Sequence, residues 1–210
     1  NEESTIASVV GFIPQSYDVF VVDDASTDHT RSNAQSTRAN VIFNQSNLGY
    51  SKTIKKSLRY LASYDYDYIC TFDADGQHLV NDAVAMAKEI LICKEGIIFG
   101  TRFPKHSKNI PKVKRIVLKL IARITDLVTG VTLSDAHNGL KAYKVSTIKE
   151  LELQFSSYSY ESELITQVAK KKIDYKEMPT DIKYTSYSIK KGQKLLNGLL
   201  IIEDLLKLWK

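Results

Sequence analysis

Tyr68-Ile69-Cys70-Thr71-Phe72-Asp73-Ala74-Asp75 is the stretch that decides the fold. The run from Tyr68 to Phe72 reads as a buried strand, and it ends directly in two carboxylates. In an open α/β sheet, ligands bind beyond the carboxyl ends of the strands. Asp73 and Asp75, separated by one small residue, can offer hard oxygens to a divalent cation. Mg²⁺ is held by a few carboxylates plus substrate phosphates rather than by an all-protein cage. The stretch therefore predicts a strand, a metal and a phosphorylated ligand, in that order. A D-x-D triplet alone is also an ordinary turn, so its companions must carry the argument.

An earlier run has the same design. Tyr17 to Val22 is apolar and ends at Asp23-Asp24, followed by Ser26, Thr27 and Asp28, which supply turn and N-cap chemistry. Neighbouring parallel strands would bring both acidic pairs to one sheet edge. Carboxylates gathered there repel one another unless a cation or hydrogen-bond donors neutralise them. A metal at Asp73 and Asp75 would do so and leave Asp24 to accept hydrogen bonds from a base or ribose.

Working outward, strand and helix alternate through the first half. Helices are expected over 2–13 (Ile6, Val9 and Val10 inward), 29–37, 51–64 and 80–94 (Val84, Ala87 and Leu91 inward). Strands are expected at 41–43 and 96–100, the latter leading to Thr101-Arg102. This alternation predicts a largely parallel sheet with helices on both faces. Further on, 112–128 reads as an amphipathic helix. Its apolar side is Val113, Ile116, Val117, Leu120, Ile124 and Leu127, with Lys112, Arg115, Lys119 and Arg123 on the other face. A strand at 140–145, a helix at 161–171 and an extended segment at 176–184 follow.

The bulk composition fits one globular domain of 210 residues, with 43% hydrophobic and 25% charged residues. Only 4 Pro and 9 Gly argue against a disordered or linker-rich chain. Cys70 and Cys93 make neither a disulfide framework nor a zinc site, and a reducing cytoplasm is expected. No apolar stretch approaches the roughly 18 residues of a spanning helix, and no signal peptide is expected. The net charge of +5 is uneven. From Gly96 to Thr125 there is no acidic residue, while Arg102, Lys105, Lys108, Lys112, Lys114, Arg115, Lys119 and Arg123 all fall there. Such a face is either simply solvated or meets an anion: a phosphate, a nucleic acid or an acidic membrane surface.

Several motifs in order now define a resemblance. Val21-Val22-Asp23-Asp24-Ala25-Ser26-Thr27-Asp28 resembles the V-V-D-D-G-S-T-D signature of family-2 glycosyltransferases with the GT-A fold. Asn47-Leu48-Gly49 resembles their N-x-G loop. Asp73 to His78 is similar to the D-A-D-x-Q-H of the dolichol-phosphate mannose synthase-like branch. Gly100-Thr101-Arg102 resembles its G-S-R, and Ser134-Asp135 with Gly139-Leu140-Lys141 its S-D…G-F-R. Ala25 stands where the family has Gly, and Lys141 where it has Arg. The family's first strand, ending in P-x-Y-N-E-E, is represented only by Asn1-Glu2-Glu3. That strand is expected to be missing here, with part of the nucleotide-base pocket.

The resemblance implies a GT-A nucleotide-diphospho-sugar transferase fold over 1–194. Asp24 would contact the nucleoside of a sugar nucleotide, with Ser26 and Gly49 nearby. Asp73, Asp75 and Gln77 would hold Mg²⁺ or Mn²⁺ against the diphosphate; outside the resemblance, Gln77 reads as a helix-start residue. The reaction would invert the anomeric carbon in one displacement. A polyprenyl phosphate acceptor is already a nucleophile and needs cations, for which Arg102 and Arg115 are candidates, then Lys190, Lys191 and Lys194. A glycan hydroxyl, as in cell-wall or capsular polysaccharide synthesis, would need a carboxylate base: Asp135 first, Glu161 or Glu163 second. Asp135 reads equally as a cap bonded to Arg102 or Lys141. His78 is close enough to the metal motif to touch a metal or phosphate; His137 has only its proximity to Asp135.

Ser188 to Lys194 resembles a basic loop that closes over the site. The apolar helix expected over 195–210 covers the core, forms a homodimer surface or lies on a membrane with Trp209 at the interface. A peripheral position at the cytoplasmic membrane face follows from the last. The competing classes are a non-catalytic anion-binding module and a nucleotidyltransferase. Nucleic acid is disfavoured as a partner, because the acidic strand ends would repel its backbone.

Overall fold

The computed structural model describes residues 1–103, 112–153 and 159–183, with the side chains of 112–114 left out. The basic loop at 188–194, its lysines, Lys105, Lys108 and the helix expected over 195–210 lie outside the described residues. The elements run α1 (Ile6–Phe12), β1 (Phe20–Asp23), α2 (Thr30–Gln35), β2 (Asn40–Phe43), α3 (Tyr50–Leu61), β3 (Tyr68–Thr71) and α4 (Val80–Ile92). Then come β4 (Ile97–Thr101), α5 (Lys112–Thr129), β5 (Lys141–Lys144), α6 (Val145–Glu150), α7 (Tyr160–Lys171) and β6 (Tyr175–Pro179).

β1 and β2 pair in parallel, Phe20 opposite Asn40 and Asp23 opposite Phe43. The other strands form a sheet in the order β3-β5-β4-β6. There β4 and β6 are parallel, and β5 runs antiparallel to both of its neighbours. β3, β4 and β6 thus share one direction and β5 alone is reversed. The reversal positions the site. β5 starts at the edge where β3 and β4 end, with Lys141 opposite both Thr71 and Phe99. The loop that precedes it, carrying Asp135, His137 and Gly139, therefore lies over the carboxyl edge.

No ladder joins β1 to β3 among the described residues. A cavity of about 530 Å³ separates them, walled by Val19, Val21, Ile69, Phe72, Ile54 and Leu58. Asn1 to Glu3 instead cross the β1 end: the Asn1 amino group donates to Ser26 Oγ (3.2 Å) and Thr27 N–H donates to Asn1 Oδ1 (2.8 Å).

The main core packs β3, β4 and β5 against α3, α6 and α7 through Ile97, Phe99, Tyr143, Leu58, Leu164 and Ile165. A second cluster sets Ile98, Leu140 and Ala142 against Ala83, Met86 and Ile90 of α4. Two helix faces differ from expectation. α4 buries Ala83, Met86, Ala87 and Ile90 and leaves Leu91 exposed. α5 buries Ile121, Ala122 and Thr125, while Ile116, Leu120 and Leu127 stand in solvent beside Arg115, Lys119 and Arg123. Apolar residues occur around most of α5, so its period does not select the seam; the neighbours it packs on do.

Candidate active site

The end of β1 is a finished piece of structure. Asp23 is buried and accepts Ser26 N–H at 3.3 Å on each oxygen. Ala25 between them has φ 59°, the left-handed region where glycine is the easy residue. Asp24 accepts from Leu48 N–H (2.9 Å), Gly49 N–H (2.8 Å) and Asn44 Nδ2 (2.9 Å). Burial works to raise its pKa, but these donors outweigh it and hold the carboxylate below its usual value. Asp24 thus ties the 47–49 loop to β1, and Gly49, with φ 81°, starts α3. A cleft of about 260 Å³ opens here, lined by Asp23, Asp24, Ser26, Asn47 and, from the β3 end, Ala74. Ala74 thus brings the β3 end to this cleft, while Asp73 lines the cavity between β1 and β3.

The end of β3 is unfinished by comparison. The Asp73 side chain is half-exposed, with His78 Nε2 4.0 Å away. Its pKa is raised to about 6, first by desolvation of the carboxyl, then by Asp75, with Lys141 opposing. Its oxygens press on Gly139, where any Cβ would come within 2.5 Å of Oδ2. Asp75 accepts from Gln77 N–H (2.9 Å) and from the Gln77 amide. Among the described residues no group of three or more His, Cys, Asp and Glu could hold a metal alone. Two carboxylates and one amide do suit a hard cation that draws its other ligands from phosphates. The Gln77 amide, turned end for end, would present its oxygen. The ring of His78 is buried, and desolvation lowers its pKa to about 4, so it is neutral at pH 7.

The β4 end, α5 and the start of β5 supply the positive charge, and the loop before β5 holds it in place. Arg102 grips Asp135 through Nε (2.5 Å) and a terminal nitrogen (2.6 Å), and also donates to His137 O (3.3 Å). Asp135 is buried; burial acts to raise its pKa, but the Arg102 charge and hydrogen bonds win and lower it. Of the two readings of Asp135, the structure has the Arg102-bound one. Arg115 lies on α5 with its guanidinium 5.9 Å from the Phe103 ring centre, next along the chain from Arg102.

Lys141 is fully buried, donates to Asn138 O (2.6 Å) and lies 3.8 Å from Glu161. Desolvation lowers its pKa, while Glu161 and Asp73 pull it back up. Glu163 is buried against Lys55 in an ion pair that staples α7 to α3, which withdraws it as a candidate base. His137 has both ring nitrogens buried without a partner.

Two contributors are absent from the sequence reading. Glu177 on β6 accepts from Ser134 N–H (2.8 Å), Ser134 Oγ (2.9 Å) and Asp135 N–H (3.3 Å), so it holds the loop that holds Arg102. A lone Glu in a short strand gives no signal for this. The Tyr50 hydroxyl faces Glu161, and its pKa is raised well above the usual value by burial and then by that carboxylate.

Acidic strand ends, a cleft at the β1 end and cations from β4, α5 and β5 suit a transferase that handles phosphorylated ligands. The family model described as "Glycosyl transferase family 2" matches residues 1–152, and the chain belongs to that family. It is a glycosyltransferase. It is 30% identical to an uncharacterized protein of Methanocaldococcus jannaschii over 98% of this chain and 87% of the relative. It is 29% identical to a UDP-N-acetylglucosamine–dolichyl-phosphate N-acetylglucosaminyltransferase of Methanococcus voltae over 99% of this chain and 92% of that one. Glucosyl-3-phosphoglycerate synthase of Mycobacterium tuberculosis has a similar fold, with TM-score 0.73, 16% identity and coverage of 99% of this chain and 77% of that one. That enzyme has also been solved with Mn²⁺, UDP and phosphoglyceric acid. The GT-A fold expected from the resemblance is the fold observed. Among the described residues no helix is long and apolar enough to cross a membrane.

Proposed function

We propose that the chain transfers a sugar, with inversion, from a nucleoside-diphosphate sugar to a polyprenyl phosphate. One observation carries the choice of acceptor. The carboxylates that could serve a hydroxyl acceptor as base are largely engaged: Asp135 by Arg102, Glu163 by Lys55, and Glu161 by Lys141 with Tyr50. A phosphate monoester arrives as an anion and needs no base. The Methanococcus voltae relative, which by name acts on dolichyl phosphate, supports the same reading.

In this reading the nucleoside lies in the cleft beside Asp24, Ser26 and Gly49, shaped by the loop that Asp24 holds. Asp73, Asp75 and Gln77 would hold Mg²⁺ or Mn²⁺, which when bound would stabilise charge on the departing diphosphate. Asp135 is a positioning residue: it fixes the plane of Arg102, so that the guanidinium meets phosphate oxygens in a set geometry. Arg115 adds a second cation. A phosphate oxygen of the acceptor bonds to the anomeric carbon as the bond to the β-phosphate oxygen breaks on the opposite face. Lys141 keeps positive charge behind Asp73.

Glu161 supports a second reading. It is partly exposed in the site and would be the base for a glycan hydroxyl. The test is transfer from UDP-N-acetylglucosamine, and then from other UDP- and GDP-sugars, to polyprenyl phosphate in detergent with Mn²⁺. Lipid-linked sugar formed by wild type and by Glu161→Gln supports the phosphate acceptor. Transfer only to glycans, lost in Glu161→Gln, supports the hydroxyl acceptor.

A further inference from the structure

We propose that His137 reads the transferred sugar, its imidazole pairing with one hydroxyl of the nucleotide sugar. The role presupposes the nucleotide-sugar donor proposed above. Both ring nitrogens of His137 are buried, with no hydrogen-bond partner among the described residues. The other polar side chains of its loop are all paired. Ser134 bonds to Glu177 (2.9 Å) and Thr101 (2.6 Å), and Asp135 to Arg102 (2.6 Å). Asn138 donates to Thr180 Oγ1 (3.1 Å) and accepts from Leu140 N–H (3.0 Å), and Lys141 donates to Asn138 O (2.6 Å). A buried polar group left unpaired costs stability, so native proteins seldom keep one without a use.

The ring's chemistry narrows its partner. Desolvation lowers its pKa; Glu161 and Asp135 oppose the shift, while Lys141 and Arg102 add to it, so the imidazole is neutral at pH 7. A neutral imidazole has one donor and one acceptor nitrogen. A phosphate only accepts, and Arg102 serves it better. A metal ion there would be repelled by Lys141 and Arg102. A hydroxyl donates and accepts, and so matches either nitrogen. Position narrows the partner further. Arg102 donates to His137 O (3.3 Å). Two residues on, Gly139 lies so close to Asp73 that any Cβ would come within 2.5 Å of Oδ2. The loop thus runs from the cation offered to the acceptor phosphate to the edge offered to the metal and diphosphate. The anomeric carbon passes from one phosphate to the other, so the group between them is the sugar.

The test is calorimetry on the full chain with Mn²⁺ and no acceptor. The ligands are UDP-N-acetylglucosamine, UDP-glucose and GDP-mannose, analogues of each lacking one sugar hydroxyl at a time, and UDP and GDP alone. His137→Phe keeps a ring and removes both nitrogens; His137→Gln keeps a donor and an acceptor. Wild type should lose about tenfold in affinity when one particular hydroxyl is missing. His137→Phe should bind that analogue and its parent alike, and His137→Gln should restore part of the difference. This coupling between a ligand group and a side chain is one that a merely structural role would not produce. UDP and GDP should bind all three proteins equally. The same loss at every hydroxyl in wild type and His137→Phe overturns the proposal, as does equal weakening of UDP, GDP and their sugars. Absence of nucleotide-sugar binding by wild type overturns the donor reading along with it. A wrong acceptor assignment leaves these affinities intact, and unchanged selectivity in His137→Phe leaves transfer in detergent intact.

Discussion

Two strand-end aspartates, Asp24 and Asp73, look alike in sequence and are opposites in the structure. Asp24 is already satisfied by Leu48, Gly49 and Asn44, and its pKa is held down. Asp73 has its pKa raised to about 6, first by desolvation and then by the Asp75 charge. A carboxylate with its donors in place is architecture; one left facing its own charge is prepared for a cation. On the proposed function, the difference assigns the β1 end to building a pocket and the β3 end to holding the metal beside it.

That contrast can be broken by mutation. Asp75→Ala should lower transfer by about a thousandfold, since a metal supplies several kcal/mol of charge stabilisation, while the melting temperature stays near wild type. Undiminished turnover would remove the metal role. Asp135→Ala should cost roughly 3–5 kcal/mol of stability by stranding Arg102, read in a urea titration. The milder Asp135→Asn carries a pH signature. Because the folded pKa of Asp135 lies below the ordinary carboxylate value, its stabilisation is complete above that ordinary value. The gap between wild type and variant should therefore close as the pH falls through the lower folded value.

Asp24→Ala should cost about 1–3 kcal/mol by leaving its donors without an acceptor, and should raise KM for the nucleotide sugar. Asp73→Asn, in contrast, should melt at or above the wild-type temperature without metal, yet lose transfer. Equal destabilisation by these two substitutions would erase the distinction. Smallest of all, Ala25→Gly should stabilise by about 1 kcal/mol, because it relieves a left-handed alanine.

Much of the first half was legible. Apolar runs ending in Asp23 and Asp73, alternating with helices, specify strands that deliver charge to an edge, and the edge is where the cleft lies. The second half was less so. Apolar periodicity is blind to direction, so the reversal of β5, which brings Asp135 and Lys141 to the site, left no trace in the pattern. The α5 seam departs from the expected face because aliphatic residues ring that helix. Glu177 and the Lys55–Glu163 pair depend on partners distant in the chain, which no local spacing reveals.

The central claim is that the Asp73–Asp75 edge takes its metal together with a diphosphate. Mn²⁺ binding followed by electron paramagnetic resonance, with and without UDP, tests it most directly. The account predicts weak uptake of Mn²⁺ alone, strong uptake with UDP, and loss of that uptake in Asp75→Ala. Tight Mn²⁺ binding without nucleotide, or UDP binding that is equal in chelator, would contradict it.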